Sequence, residues 1–301
     1  MIQRLFLHAG LPKTGSTSMQ RWFLENRNAM RACGCDYPTI PALHNYKQGY
    51  VVSELRGRRD LPSIREALSS VDTPDALLSN EGISNHFHDF PDETLALFRD
   101  LTQDVQVVII MFRRDPEAWL RSYHRQAVLN PRNNASELWG THQSSEDIRD
   151  HYRVRRLVDT SALATRLTEG FGADACHVLD FDADDAFDQM LRNIGLDALA
   201  HIPLPRINEA IPVWAIEMMR YINAETDENS VRRAWKALLY HFLDSNHTVL
   251  RDDARTMKPS DINLIDPALF EGMPSDVPVQ DLAAFVQLDL ACSFGRVGEA
   301  Q

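Results

Sequence analysis

The stretch Arg4-Leu5-Phe6-Leu7-His8-Ala9-Gly10-Leu11-Pro12-Lys13-Thr14-Gly15-Ser16-Thr17-Ser18-Met19 decides the fold. Arg4 to His8 is a short apolar run of the kind that forms a buried strand. Ala9 to Ser16 follows as a loop, and Met19, Trp22 and Phe23 then recur at helical spacing. In a strand, loop and helix of this kind, unpaired backbone N–H groups and the helix dipole converge on one point, where an anion is stabilised. Gly15 permits close backbone approach, Ser16, Thr17 and Ser18 offer hydroxyl donors, and Lys13 and Thr14 complete the loop, the lysine with a compact positive charge. A Walker loop would place Gly-Lys-Ser/Thr at its end. Here Gly15 is followed by Ser16, and the lysine lies two residues before the glycine, which argues against an ordinary ATPase or a P-loop kinase.

Further strands are expected at Ala76 to Ser79, at Val105 to Phe112, whose near-continuous apolar character suits a parallel strand covered on both faces, and at Cys176 to Phe181. Helical patterns separate them: Glu117 to Leu129 after Asp115-Pro116, Val154 to Glu169, and Asp185 to Ile194. This alternation predicts an α/β fold, a P-loop-like parallel sheet flanked by helices. Ile202 to Pro212, with three prolines, reads as a linker. Val213 to Asn223 and Val231 to Leu250 make the C-terminal third mainly helical. The expected organisation is a single domain over residues 1–301, with a nucleotide-binding core in 1–200 and a helical extension in 201–301.

Composition narrows the function. A net charge of −12 argues against sequence-independent binding of nucleic acid, which needs a broad cationic surface. The longest near-continuous apolar stretch spans eight residues, Val105 to Phe112, with Gln106 inside it, and the amino terminus turns polar within four. The sequence therefore suggests neither a membrane span nor a secretory signal, and a cytoplasmic location is expected. Four scattered cysteines, Cys33, Cys35, Cys176 and Cys292, form neither a disulfide framework nor a zinc pattern.

A second motif follows the third strand: Arg113-Arg114-Asp115-Pro116-Glu117-Ala118-Trp119-Leu120-Arg121-Ser122. The carboxyl end of a central strand is where α/β sheets bind ligands. Ser122 lies eight residues after Arg114, so a helix can carry its hydroxyl back toward the guanidinium's ligand; Arg113 is the neighbouring alternative.

Pro12 to Ser18 looks like the 5′-phosphosulfate loop of the sulfotransferases that use 3′-phosphoadenosine 5′-phosphosulfate (PAPS), and Arg114 with Ser122 resembles their 3′-phosphate motif. The Arg-Asp-Pro version is similar to that of members acting on carbohydrates. The resemblance implies PAPS as donor, a hydroxyl acceptor on a saccharide or glycolipid, and chemistry without a metal. Ser79-Asn80-Glu81-Gly82-Ile83-Ser84 resembles the segment of bacterial carbohydrate-type members from which a catalytic carboxylate is proposed, making Glu81 the expected base. His44 is the leading rival, with His8, His86 and His88 behind it. Arg206-Ile207-Asn208-Glu209 is similar to a segment following the core in bacterial members. A catalytically silent nucleotide-binding module is the further alternative.

Overall fold

The computed structural model describes residues 2–40, 47–57, 60–133, 136–205, 211–247 and 273. Five strands form one sheet: β1 Arg4–His8, β2 Cys35–Asp36, β3 Asp75–Ser79, β4 Gln106–Arg113 and β5 Ala175–Asp180. Their spatial order is β2-β3-β1-β4-β5 and every pair is parallel. Between β1 and β2 lie α1 Ser16–Glu25 and α2 Arg27–Ala32; between β2 and β3 lie α3 Gly49–Gly57 and α4 Pro62–Ser69. The short helix α5 Gly82–Asn85 and then α6 Asp92–Leu101 lead to β4. After β4 come α7 Pro116–Leu129, α8 Ser145–Ile148, α9 Tyr152–Val158 and α10 Thr160–Phe171. Past β5 come α11 Ala186–Asn193, α12 Val213–Glu225 and α13 Asn229–His247.

The sheet is the expected α/β arrangement, and its apolar strands are the central ones. Leu5, Phe6 and Leu7 of β1 and Ile109 to Phe112 of β4 are at most 1% exposed, because neighbours cover both faces. Phe6, Leu77, Val108, Ile110 and Phe112 pack against Met19, Trp22 and Phe23 of α1 and Met190 and Leu191 of α11. The alternate residues Leu5, Leu7, Ile109 and Met111 point to the opposite face and are equally buried. Trp22 also donates its indole N–H to the Ile202 carbonyl at 3.2 Å.

Two local features depart from the sequence expectation. β2 is only two residues long, below what any periodicity reveals. Its fully buried Asp36 is held by Arg27 at 2.6 Å and Arg31 at 2.7 Å, and its two residues pair with Asp75 and Ala76 of β3, a long-range contact. The helix expected over Val154 to Glu169 is two helices. The Asp159 carboxylate accepts from the Ala162 amide at 3.0 Å and caps α10, ending α9 one residue earlier.

The chain divides into two compact units, Met1–Leu120 with Arg149–Ile207, and Arg121–Ile148 with Asn208–Gln301; the division falls within α7. The first unit contains the sheet. The second is built on α12 and α13, whose Met218, Met219, Ile222, Trp235, Leu238 and Leu239 pack with Val128 and Leu129 at the end of α7. Within it, the buried Asn223 amide donates to the carbonyls of Val128 at 2.9 Å and Thr141 at 3.0 Å. No helix among the described residues is long and apolar enough to cross a membrane.

Candidate functional site

The parallel register sets the carboxyl ends of three strands side by side. His8, the last residue of β1, stands opposite Ser79 of β3 on one side and Ile110 of β4 on the other. The segments leaving these strands are the Ala9 to Gly15 loop, Asn80-Glu81 and Arg114-Asp115.

The loop is held from within and from both flanks. The buried Thr14 hydroxyl donates to the Leu11 carbonyl at 2.6 Å. The Trp119 indole donates to the Pro12 carbonyl at 2.8 Å from the first turn of α7, and the Ser84 hydroxyl donates to the Gly10 carbonyl from α5. Lys13 has φ 72° and Gly15 φ 70°, both left-handed, so the chain reverses sharply into α1. The Gly15 position is also crowded: a Cβ there would stand 3.0 Å from Phe181 Cε2, so that ring would have to give way. Gly15 supplies no side-chain cap to α1. Ser16 and Thr14 are buried, while Lys13, Thr17 and Ser18 keep partial exposure.

Arg114 joins the loop from the β4 side. Its Nη1 donates to the Lys13 carbonyl at 3.3 Å, its Nε is 3.3 Å from an Asp182 carboxylate oxygen, and its guanidinium lies 5.2 Å from the centre of the Phe181 ring. Arg113 behaves differently. It is the last residue of β4, its side chain is 60% exposed, and it pairs with Asp180 at 3.4 Å. Arg114 lies one residue past the end of the strand and is the arginine whose side chain contacts the loop.

Glu81 begins the turn into α5. Gly10 passes so close beneath it that a Cβ on Gly10 would lie 3.4 Å from both Cα and Cβ of Glu81. Glu81 Oε2 accepts a 2.9 Å hydrogen bond from Gln20 Nε2 of α1. The strand end below is tied in by Gln48, whose Oε1 accepts from the Ser79 amide at 2.7 Å, replacing the partner that two-residue β2 does not extend to supply.

The histidines take other roles. His8 is fully buried, its Nδ1 2.7 Å from the Ser79 hydroxyl and its ring edge-on to Phe23 and Phe112. Burial pushes its pKa down to about 4, so it is neutral near pH 7. His86 and His88 cluster on Asp89, at 3.1 and 3.4 Å, beside the buried Arg153, which contacts the same carboxylate at 3.2 and 3.3 Å. Burial lowers both histidines, His88 to about 4. Burial would raise Asp89, but hydrogen bonds from Arg153 and His86 outweigh it and hold the carboxyl below the usual range. His44 and the Arg206, Asn208 and Glu209 segment lie outside the described residues.

The first unit thus brings Lys13 to Ser18, Glu81 and Arg114 together, while Ser122 lies half-buried on the part of α7 that belongs to the second unit. Gln20, Trp119, Phe181 and Asp182 are contributors the sequence reading did not single out. The available signal was Gln20, a polar residue four positions after Ser16, on a helix whose neighbouring inward positions are Met19 and Phe23. A separate cleft of about 550 Å³, lined by Glu117, Arg149, Tyr152, Arg155 and Arg156 among others, includes none of the loop residues. Among the described residues, no group of three or more His, Cys, Asp or Glu side chains is arranged to hold a metal ion.

No protein-family model matches the chain. No curated protein matches it either. Among solved structures, it is similar to a chain described as a sulfotransferase from Alicyclobacillus acidocaldarius, at 17% sequence identity and a TM-score of 0.40, over 80% of this chain and 97% of that one. A likeness this distant assigns neither family nor activity.

Proposed function

We propose that the protein is a PAPS-dependent sulfotransferase that moves a sulfuryl group to an acceptor hydroxyl, on a saccharide or glycolipid. The observation that carries this reading is the meeting of three chemically distinct groups at one sheet edge: the lysine-bearing loop, the Glu81 carboxylate and the Arg114 guanidinium. The first-turn amides of α1 and the hydroxyls of Ser16, Thr17 and Ser18 would hold the 5′-phosphosulfate. Arg114 would grip the 3′-phosphate, a group that ATP does not possess.

In the reaction, Glu81 takes the acceptor's hydroxyl proton as the acceptor oxygen forms its bond to sulfur. The bond from sulfur to the bridging oxygen breaks in line, and its electron pair leaves on the 5′-phosphate, where Lys13 and the loop amides neutralise the developing charge. Two features favour Glu81 over His8 as base. His8 is 0% exposed, whereas Glu81 is partly exposed and has one oxygen that accepts no hydrogen bond from any described residue.

The test is calorimetric titration with 3′-phosphoadenosine 5′-phosphate and, in parallel, with ATP plus Mg²⁺. Binding of the former alone supports the reading and opens a glycan acceptor screen. Binding of Mg-ATP alone overturns it in favour of a kinase.

A further inference from the structure

Gln20 is fully buried, yet the amide is only half satisfied. Its Nε2 donates to Glu81 Oε2 at 2.9 Å and to the Ser79 carbonyl at 3.4 Å, while its Oε1, also buried, meets no donor among the described residues. Turning the amide over would set Oε1 against two acceptors, so the carboxylate and the strand-end carbonyl fix its orientation. A methionine of similar volume would fill the same place without an orphaned oxygen, and buried polar atoms left unpaired are destabilising. Space-filling alone therefore does not account for a glutamine here.

Its position in the helix does. Gln20 follows Ser16 by four residues, so the two lie on one side of α1. The helix whose amino end forms the phosphate-type loop also carries, one turn further on, the donor that anchors Glu81. We infer that Gln20 is a positioning residue for Glu81: it occupies Oε2, leaves Oε1 to face the acceptor, and ties the carboxylate to the same rigid element that orients the loop. This rests on the reading of Glu81 as the base. Gln20 itself touches no reacting atom, and all of its effect passes through the carboxylate.

The test is a double-mutant cycle with Gln20→Met, Glu81→Gln and both together, measured as turnover with PAPS and as affinity for 3′-phosphoadenosine 5′-phosphate. Gln20→Met is expected to lower kcat by about 10-fold or more with nucleotide affinity within about 3-fold, and to cause no further loss on the Glu81→Gln background. Equal losses in both backgrounds, or an unchanged kcat, would overturn the assignment. A second measurement is independent of activity and of how Gln20→Met folds. In protein labelled with ¹⁵N-glutamine, the Gln20 side-chain amide is expected to shift in Glu81→Gln relative to the parent, and an unmoved resonance would also overturn the assignment. If the parent neither binds the nucleotide nor transfers sulfate while the amide still shifts, the sulfotransferase reading fails and the Gln20 anchor stands.

Discussion

Arg114 spans 101 positions of sequence to donate a hydrogen bond to the main-chain carbonyl of Lys13, 3.3 Å from its Nη1. The contact links the two motifs by which the sequence was read, and it separates Arg114 from Arg113. Arg114→Ala is expected to weaken binding of 3′-phosphoadenosine 5′-phosphate by about 10- to 100-fold, in the range of one lost charge-assisted contact. Arg113→Ala, removing an exposed ion pair, should change it by less than about 3-fold. Calorimetry on both variants decides; equal effects would remove Arg114 from its special role.

Lys13 sits at φ 72°, a conformation that costs a side-chain-bearing residue about 1–2 kcal/mol. Lys13→Gly should therefore leave the fold as stable as the parent or raise its melting temperature by a few degrees, while turnover falls by about 10²-fold through loss of the charge at the leaving group. Thermal melts and PAPS turnover on the same preparation test both halves. A stable variant with full turnover would exclude the lysine from the chemistry.

Gly15 combines a left-handed φ of 70° with a 3.0 Å approach of any added Cβ to Phe181. Gly15→Ala is expected to destabilise the protein by about 1–3 kcal/mol from backbone strain and crowding together. Adding Phe181→Leu should recover only the crowding part, because the backbone cost remains. Denaturant unfolding of the two variants separates the contributions, and complete recovery would show that the backbone term is negligible.

The buried His8 makes stability depend on pH. Its pKa falls from 6.5 to about 4 on folding because burial disfavours the charged ring. Between those values the unfolded chain binds more protons than the folded one, so stability rises with pH across this window and is lost as pH falls from 6.5 toward 4. The loss attributable to His8 is up to about 3 kcal/mol. His8→Gln, which cannot titrate, should show a flatter dependence in denaturant melts from pH 7 to 4. An unchanged slope would mean that other groups, such as His88, dominate the acid limb.

The sequence alone determined the α/β alternation, because strand and helix periodicities are local and the apolar runs of β1 and β4 are long enough to read. It also made the loop legible, since Lys13 to Ser18 are contiguous and follow the first strand directly. It did not determine β2, whose two residues carry no period and pair with Asp75 and Ala76 of β3, a long-range contact. Nor did it split the helix after Val158, where a side-chain cap at Asp159 outweighed a continuous helical pattern. Only the tertiary structure distinguished Arg114 from Arg113, because the face each side chain takes depends on where β4 ends. It alone brought Gln20 to Glu81, 61 positions apart in sequence. A hydrogen bond between distant residues leaves no periodic trace in either segment; it is fixed by the parallel register that brings the ends of β1 and β3 together.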